Sequence, residues 1–140
     1  NFIKTMLRIG AQNNEVRVVS DQRGTPTHAG DLASALAAVT AQFTSDRSQR
    51  SGIWHCSNQG ETTWHGLAER TFGQAAKLGL QVPEKVIPIS TEDYPTPARR
   101  PQDSRLNSAR LEADFGLRLR PWDSAVDEIV AQLAQEMKRK

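Results

Sequence analysis

The sequence predicts a helix-rich α/β fold with a few short strands. Apolar residues recur at helical spacing in several long segments, which indicates helices that bury one face. Strand-like runs are short and fewer, at Val16–Ser20, Ile53–Ser57 and Lys85–Ser90. The length of 140 residues allows one compact domain. We therefore expect five or six helices and three strands, and these strands alone cannot form a complete sheet.

The first part of the chain predicts a helix, a strand and a second helix. The first helix ends near Gly10, and the strand Val16–Ser20 follows it. The second helix is expected over His28–Phe43, with Asp31 in its first turn, where the helix dipole favours a carboxylate. One apolar stripe on this second helix should pack well against the core. The stripe consists of Leu32, Ala35, Leu36, Val39 and Phe43.

The segment between that strand and the second helix has the composition of a ligand-facing corner. Gln22 follows the strand, Gly24 permits a tight turn, and Pro26 fixes a backbone dihedral before the helix begins with free N–H groups. Such a corner can hold an anion or a sugar. The alternative is ordinary turn chemistry, because Gly, Pro and Thr also recur in loops without ligands. Both interpretations stay open for Gln22, Thr25 and Thr27.

The middle of the chain predicts a polar loop over Thr44–Gly52 and then a buried strand over Ile53–Ser57. A third helix is expected over Trp64–Leu78, capped by one of the two threonines before it and closed by Gly79. The strand Lys85–Ser90 comes next, after a proline. Helix and strand therefore alternate through this part of the chain, as in an α/β arrangement.

The last part of the chain begins with a segment that has no periodicity, Thr91–Ser104. Its prolines require extended backbone, since each proline disfavours helix at the residue before it. Asn107 is predicted to cap a short helix that stops at Gly116, and Pro121 opens a final amphipathic helix. The segment Thr91–Ser104 is therefore an ordered loop or a linker between regular elements.

Composition limits the class of protein. Net charge is +2, from 18 Lys and Arg against 16 Asp and Glu, and this excess is too small to indicate nucleic acid. The single Cys56 excludes an internal disulfide and suits a reducing compartment, so we expect a cytoplasmic protein. No apolar run reaches the length of a membrane span, and no signal peptide is visible. Because the chain begins at Asn1 without Met, we expect the natural protein to start upstream.

Several common chemistries find no support in the residue pattern. One Cys and three scattered His give no spacing typical of zinc ligands, so no metal site is expected. No Ser lies in a Gly-x-Ser-x-Gly turn, and Cys56 sits in an apolar run that favours an inert buried thiol. Both Gly-rich phosphate loops are absent from the sequence, so the chain alone should not bind NAD in the usual way. Trp54, Trp64 and Trp122 fall on apolar faces and are expected to pack in the core.

Three arginines in the proline-rich segment remain as candidates for binding. Arg99, Arg100 and Arg105 lie in a stiff stretch, and guanidinium groups match diphosphate oxygens with two parallel hydrogen bonds. A stiff loop also loses less entropy when it closes on a ligand. The sequence therefore predicts an anion clamp. The alternative is that these arginines are solvated or pair with Asp103 and Glu92.

The motifs taken together resemble a known family. They are Asn1–Leu7, Val18–Thr27, Gly52–His55 with Thr62–Trp64, and Tyr94–Pro101 with Ser104–Asn107. Their order and spacing resemble the C-terminal half of the dTDP-4-dehydrorhamnose reductases, across nearly all of the chain. The elements Asp-Gln-x-Gly-x-Pro-Thr and Pro-x-Arg-Arg-Pro-x-x-Ser-Arg-Leu are the most specific.

The resemblance implies the substrate-binding part of an NAD(P)-binding, Rossmann-like extended short-chain dehydrogenase/reductase. Residues 1–140 would form the C-terminal sugar-nucleotide-binding region, and an absent N-terminal half would bind NADPH. The family reduces dTDP-4-dehydro-6-deoxy-L-mannose to dTDP-L-rhamnose for surface polysaccharide. Its catalytic Tyr-x-x-x-Lys pair would precede this chain, and Tyr94 has no Lys four residues later. The isolated segment is therefore expected to be inactive, with no catalytic residue of its own.

The same resemblance assigns residues to the sugar-nucleotide cleft. The corner and the basic segment supply most of them, while Asn1 starts the first helix. The assigned residues are Asn1, Gln22, Gly24, Pro26, Thr27, Arg99, Arg100 and Arg105. Some relatives hold a Mg²⁺-linked homodimer through a carboxylate near the position of Gly30, where this chain offers only the neighbouring Asp31. The expected partner is a dTDP-sugar, without nucleic acid or membrane.

Two other functions stay open. A non-catalytic relative with a regulatory or interaction role would share this half of the fold. An epimerase or dehydratase of the same superfamily would keep the fold and act on another nucleotide sugar. The upstream sequence distinguishes the first alternative, and an assay with the 4-keto sugar distinguishes the second.

Overall fold

The computed structural model describes residues 1–45, 51–98 and 100–139. Within these ranges the chain forms five helices and four short strands. The order is α1 (Phe2–Gly10), β1 (Glu15–Val19), β2 (Arg23–Gly24), α2 (Ala29–Ser45), β3 (Thr62–Thr63), α3 (Trp64–Lys77), β4 (Lys85–Ile89), α4 (Ala109–Phe115) and α5 (Trp122–Lys138). The prediction of a helix-rich α/β fold is confirmed.

The helix ends follow their predicted signals. The Asn1 side chain accepts a hydrogen bond from the backbone N–H of Ile3 and begins α1, and the Thr63 hydroxyl accepts one from Gly66 and begins α3. The N-cap residue of α4 is Ser108 rather than the expected Asn107, although Asn107 Oδ1 accepts a hydrogen bond from the backbone N–H of Ala109. That helix ends at Gly116, whose φ of 67° lies in the left-handed region that favours glycine.

Two strands form the parallel part of the fold. Strand β1 pairs with β4 in a register that runs from Glu15 opposite Lys85 to Val19 opposite Ile89. The carboxyl ends of these parallel strands therefore lie side by side. Strands β2 and β3 form a separate antiparallel pair of two residues each, with Arg23 opposite Thr63. This second pair contains only residues that the sequence analysis assigned to turns or caps.

The core lies between α1, α3 and α5 and extends onto the inner face of β1. Its buried apolar residues form two clusters that share the partly buried rings of Phe2 and Trp64. The two rings pack against each other with centroids 4.9 Å apart. The buried members are Met6, Leu7, Val16, Val18, Leu67, Ala68, Phe72, Ala75, Val126 and Val130.

The expected strand over Ile53–Ser57 is wrong. This segment has no regular pairing, Ile53 is 77% exposed, and Cys56 is only partly buried. Helix α4 covers the segment instead of a neighbouring strand. The Trp54 indole N–H donates to Asp114 at 2.7 Å, and the Trp54 ring meets the edge of Phe115. An apolar run is therefore insufficient for a strand when no partner strand lies beside it.

The expected packing of the second helix is only partly confirmed. Ala35 is buried, but Leu36 is 59% exposed and Phe43 is 37% exposed, although the Phe43 ring contacts Phe115. Helix α2 also extends into the segment predicted to be a polar loop, because Thr44 and Ser45 belong to the helix. Residues 46–50 of that loop lie outside the described ranges. None of the helices in the described ranges combines the length and the hydrophobicity that a membrane span requires.

Candidate functional site

A cavity of about 420 Å³ lies between the corner after β1 and the proline-rich segment. The corner supplies one wall, the start of α3 supplies the floor, and the proline-rich segment supplies the opposite wall. The two opposite walls are the segments Gln22–Pro26 and Arg100–Leu106, and we refer to this pair of segments as the site wall. The lining residues are Gln22, Arg23, Gly24, Thr25, Pro26, Thr62, Thr63, Trp64, Leu67, Arg100, Pro101, Ser104 and Leu106.

Backbone hydrogen bonds join the two segments of the site wall. The N–H of Arg23 donates to the carbonyl of Gln102 at 2.7 Å, and the N–H of Ser104 donates to the carbonyl of Arg23 at 2.9 Å. The N–H of Leu106 donates to the Thr25 hydroxyl at 3.3 Å. The segments are about 80 residues apart in sequence at these contacts. Their convergence is therefore a property of the fold and cannot arise from local turn chemistry.

Gly24 has a different role from the one expected. Its backbone does not adopt positive φ, so no tight glycine turn is formed there. Instead, a Cβ at this position would lie 3.2 Å from Ser104 Oγ. The missing side chain allows the two walls to approach each other.

Arg23 and Arg100 are the two arginines that line the cavity among the described residues, and Arg100 is the one without an ion pair there. It is exposed, lines the cavity, and has no ion pair among the described residues. Arg100 also lines a neighbouring apolar cavity of about 480 Å³ beside α1 and β1, together with Gln22 and Trp64. These three side chains therefore stand between the two cavities.

Arg105 does not line this cavity, and its place in an anion clamp stays a prediction. Its guanidinium forms ion pairs with Asp103, at 2.6 Å, and with Glu61. Glu61 also pairs with Arg23, so one carboxylate holds two arginines. Arg105 holds the pKa of Asp103 down at about 2, chiefly through side-chain hydrogen bonds. The ion pair that the alternative expected is present for Arg105, with Asp103 as the partner rather than Glu92.

Two other predicted site residues, Asn1 and Thr27, do not line this cavity. Asn1 caps α1, and the Thr27 hydroxyl donates to the carbonyl of Thr25 at 3.1 Å. Arg99 lies outside the described residues. The predicted residues that the fold brings together are therefore Gln22, Gly24, Pro26 and Arg100.

Sequence reasoning missed most of the apolar lining. Trp64 was expected to pack in the core, and it does pack on Phe2, yet its ring also lines both cavities. Leu67 and Leu106 were not considered as site residues. A signal was present in the motif Thr62–Trp64, since a helix start next to a ligand places its first side chains at the opening.

A second polar cluster fastens the start of α2 to the loop before α5. Asp31 accepts hydrogen bonds from Arg120 Nε at 2.9 Å and from Asn58 Nδ2 at 2.7 Å, and His28 Nδ1 lies 3.3 Å from its other oxygen. These contacts, led by the hydrogen bond from Arg120, lower the pKa of Asp31 to about 2. Asn58 is buried and also accepts from the backbone N–H of His28 at 2.7 Å.

Neither Mg²⁺ nor NADPH fits the residues of the cluster around Asp31. The oxygens of Asp31 face a guanidinium, an amide N–H and an imidazole, whereas Mg²⁺ needs several oxygen ligands. In the described ranges, no group of three His, Cys, Asp or Glu could hold a metal ion. A pyrophosphate at the start of α2 would meet the carboxylate of Asp31 and find the His28 N–H already bound.

The chain is a helix-rich α/β region of the extended short-chain dehydrogenase/reductase fold, as in the solved structures that it resembles. A family model described as the RmlD substrate binding domain matches residues 1–135. The chain belongs to this family.

The relatives and solved structures are dTDP-4-dehydrorhamnose reductases. The proteins from Sinorhizobium fredii and Burkholderia thailandensis are 41% and 36% identical, over 99% and 97% of this chain but only 47% and 48% of their own lengths. The Clostridium acetobutylicum structure has a TM-score of 0.82 at 35% identity, over 95% of this chain and 44% of that one. The Bacillus anthracis structure, in complex with NADP, has a TM-score of 0.80 at 29% identity, over 94% of this chain and 43% of that one. The chain thus spans less than half the length of these relatives.

Proposed function

We propose that this chain is the C-terminal, sugar-nucleotide-binding part of an NADPH-dependent dTDP-4-dehydrorhamnose reductase. The substrate is dTDP-4-dehydro-6-deoxy-L-mannose, and the product is dTDP-L-rhamnose. The main support is the joining of Gln22–Pro26 and Arg100–Leu106 around one cavity, in a chain whose relatives carry that enzyme's name. The proposal includes a cytoplasmic protein that binds no nucleic acid or membrane and forms a homodimer.

The charges around the cavity support a diphosphate ligand bound chiefly through Arg100. Arg23 and Arg105 are already paired with carboxylates, so their charges are largely balanced. Arg100 has no such partner in the described part of the chain, and its planar group can contact two phosphate oxygens. Binding a diphosphate there costs no broken ion pair.

The apolar lining supports a ring-shaped group beside that cation. Pro26, Trp64, Leu67 and Leu106 present carbon surfaces to the cavity. A thymine base or the apolar face of a 6-deoxy sugar can cover such surfaces, and an indole ring favours stacking with either. Gln22 supplies the polar amide between these surfaces and orients the ligand.

The proposal assigns the reduction itself to a part of the protein outside this chain. NADPH, bound there, supplies the hydride, and the Tyr-x-x-x-Lys pair of the family also lies there. The residues described above bind and orient the nucleotide sugar and exclude water from one side of it. Consequently the 140-residue chain alone should show no reductase activity.

The test is NADPH oxidation by the complete protein with the 4-keto sugar nucleotide. We expect turnover, and in Arg100→Ala a KM about tenfold higher, the loss typical of one charge-assisted contact. Arg8→Ala, which removes an exposed arginine of α1 that lines neither cavity, should leave KM unchanged.

Other outcomes distinguish the alternatives. No turnover, together with an upstream sequence lacking Tyr-x-x-x-Lys, indicates a non-catalytic relative. Conversion of a different nucleotide sugar without net NADPH oxidation indicates an epimerase or dehydratase. Equal KM values for Arg100→Ala and wild type contradict the assigned site.

A further inference from the structure

A chain of hydrogen bonds runs from the cavity to the carboxyl ends of the parallel strands. The Trp64 indole N–H donates to Gln22 Oε1 at 3.2 Å, and Gln22 Nε2 donates to Thr91 Oγ1 at 3.0 Å. The Thr91 hydroxyl in turn donates to Asp21 Oδ1 at 2.7 Å, and the Thr91 N–H donates to Asp21 Oδ2 at 2.9 Å. We call these four residues the relay.

The fold explains why the relay forms at this place. Asp21 lies two residues after β1, and Thr91 lies two residues after β4. Because β1 and β4 are parallel, their carboxyl ends are neighbours, and the Ser20 N–H still donates to the carbonyl of Ile89 at 2.9 Å. The relay therefore continues the strand pairing with side chains, up to the edge of the cavity.

The direction of every hydrogen bond in the relay is fixed by its two ends. An indole N–H can only donate, and an ionised carboxylate can only accept. Thr91 has one hydroxyl hydrogen, which goes to Asp21, so its oxygen must accept from Gln22. The Gln22 amide consequently has its oxygen towards Trp64 and its nitrogen towards Thr91, and a flipped amide would lose both bonds.

The buried position of Gln22 gives this orientation a consequence for binding. Gln22 is only 9% exposed, and its amide lies where the two cavities meet. In the described part of the chain, its side chain makes the two hydrogen bonds of the relay. One N–H and one carbonyl lone pair remain, at fixed positions, for a ligand in the cavity.

We infer that Thr91 and Asp21 are positioning residues that set the orientation of the Gln22 amide towards the nucleotide sugar. Neither residue lines the cavity beside Arg100. They act through Gln22, by making one of two amide orientations much more favourable than the other. The inference rests on the proposed function for its ligand, while the relay itself can be tested without a ligand.

The relay is tested by NMR of the ¹⁵N-labelled chain, with the Trp64 indole N–H as the probe. Thr91→Val keeps the shape and removes the hydroxyl, so the Gln22 amide loses its anchor and the Trp64 resonance should shift. Thr91→Ser keeps the hydroxyl and should retain the wild-type resonance. The Trp54 indole, bound to Asp114, should move in neither variant and reports general loss of structure.

Ser90→Ala is the matched control for this variant. Ser90 is the preceding residue, and its hydroxyl donates to Asp93 at 2.8 Å outside the relay. The Ser90→Ala variant should leave the Trp64 indole resonance unshifted. An unshifted Trp64 resonance in Thr91→Val, or an equal shift in Ser90→Ala, overturns the relay.

The effect on binding is measured by kinetics of the complete reductase. In Thr91→Val we expect KM for the nucleotide sugar to rise about fivefold to tenfold, with kcat within about twofold, because an amide contact is misplaced while the reacting groups stay. Thr91→Ser should restore KM, and Ser90→Ala should match wild type. A KM unchanged in Thr91→Val overturns the positioning role. Absence of wild-type turnover overturns the proposed function instead, and the Trp64 resonance still decides whether the relay exists.

Discussion

The helical core and the site wall are stabilised in different ways. Core residues such as Ala68, Ala75 and Val130 are fully buried, and their stability comes from removing apolar surface from water. In the site wall, Arg100–Leu106 is exposed throughout, and backbone hydrogen bonds and ion pairs hold it to Gln22–Pro26. One part of this small fold therefore supplies rigidity, while the other keeps polar groups available to a ligand.

The largest expected effect belongs to the core. Phe72 is 5% exposed and packs with Met6, Val16 and Val18. Phe72→Ala should lower the free energy of unfolding by about 3–5 kcal/mol, because it removes buried apolar surface and leaves a cavity. Urea denaturation measures the loss. Leu36→Ala, at the 59% exposed position on α2, is the control and should cost less than about 1 kcal/mol. Equal losses in the two variants contradict the assigned core.

The Asp31 cluster should have an intermediate effect that depends on pH. The folded-state pKa of Asp31 is lowered to about 2, first by Arg120, so its carboxylate stabilises the fold above the unfolded value near 3.8. This contribution is lost as pH falls from about 4 towards 2. Asp31→Asn should cost about 1–2 kcal/mol at pH 7 and almost nothing at pH 2.

Urea midpoints of wild type and Asp31→Asn at pH 7, 4 and 2 test this expectation. Glu84→Gln, which changes an exposed carboxylate outside the cluster, should show no such convergence. If the difference between wild type and Asp31→Asn is the same at pH 2 and pH 7, the charge of Asp31 is not what stabilises the cluster.

The smallest effect is expected in the ion pairs of the site wall. Glu61 holds both Arg23 and Arg105, and all three side chains are substantially exposed. Glu61→Gln should destabilise the protein less than Asp31→Asn, and the loss should disappear near 1 M NaCl, where the Debye length is about 3 Å. Thermal denaturation at low and high salt measures it. A loss that persists at high salt contradicts the assignment of these pairs to the solvated surface.

The helices were predictable because their signals are local. Asn1, Thr63 and Gly116 mark helix ends by their own chemistry, and the apolar spacing of α1, α3 and α5 shows which faces are buried. The convergence of the corner with the basic segment was also predicted, from the resemblance and from the shared preference for anions. The structure confirms that convergence.

The errors arise where the outcome depends on distant residues. Ile53–Ser57 looks like a strand, but only a neighbouring strand could have made it one, and α4 lies there instead. Arg105 looks like a free cation until Glu61, 44 residues away, is seen to bind it. The short pair of β2 and β3 likewise depends on contacts between Arg23 and Thr63 that no local pattern records.

A titration of the ¹⁵N-labelled chain with dTDP shows whether the corner and the basic segment bind a nucleotide together. We expect the amide resonances of Gln22–Thr25 and of Ser104–Leu106 to shift together with one dissociation constant, since both segments line one cavity. Resonances near the end of α5, such as Gln135–Lys138, should remain unchanged. Shifts confined to one of the two segments, or located only outside the cavity, would contradict the claim that they form one wall for a nucleotide sugar.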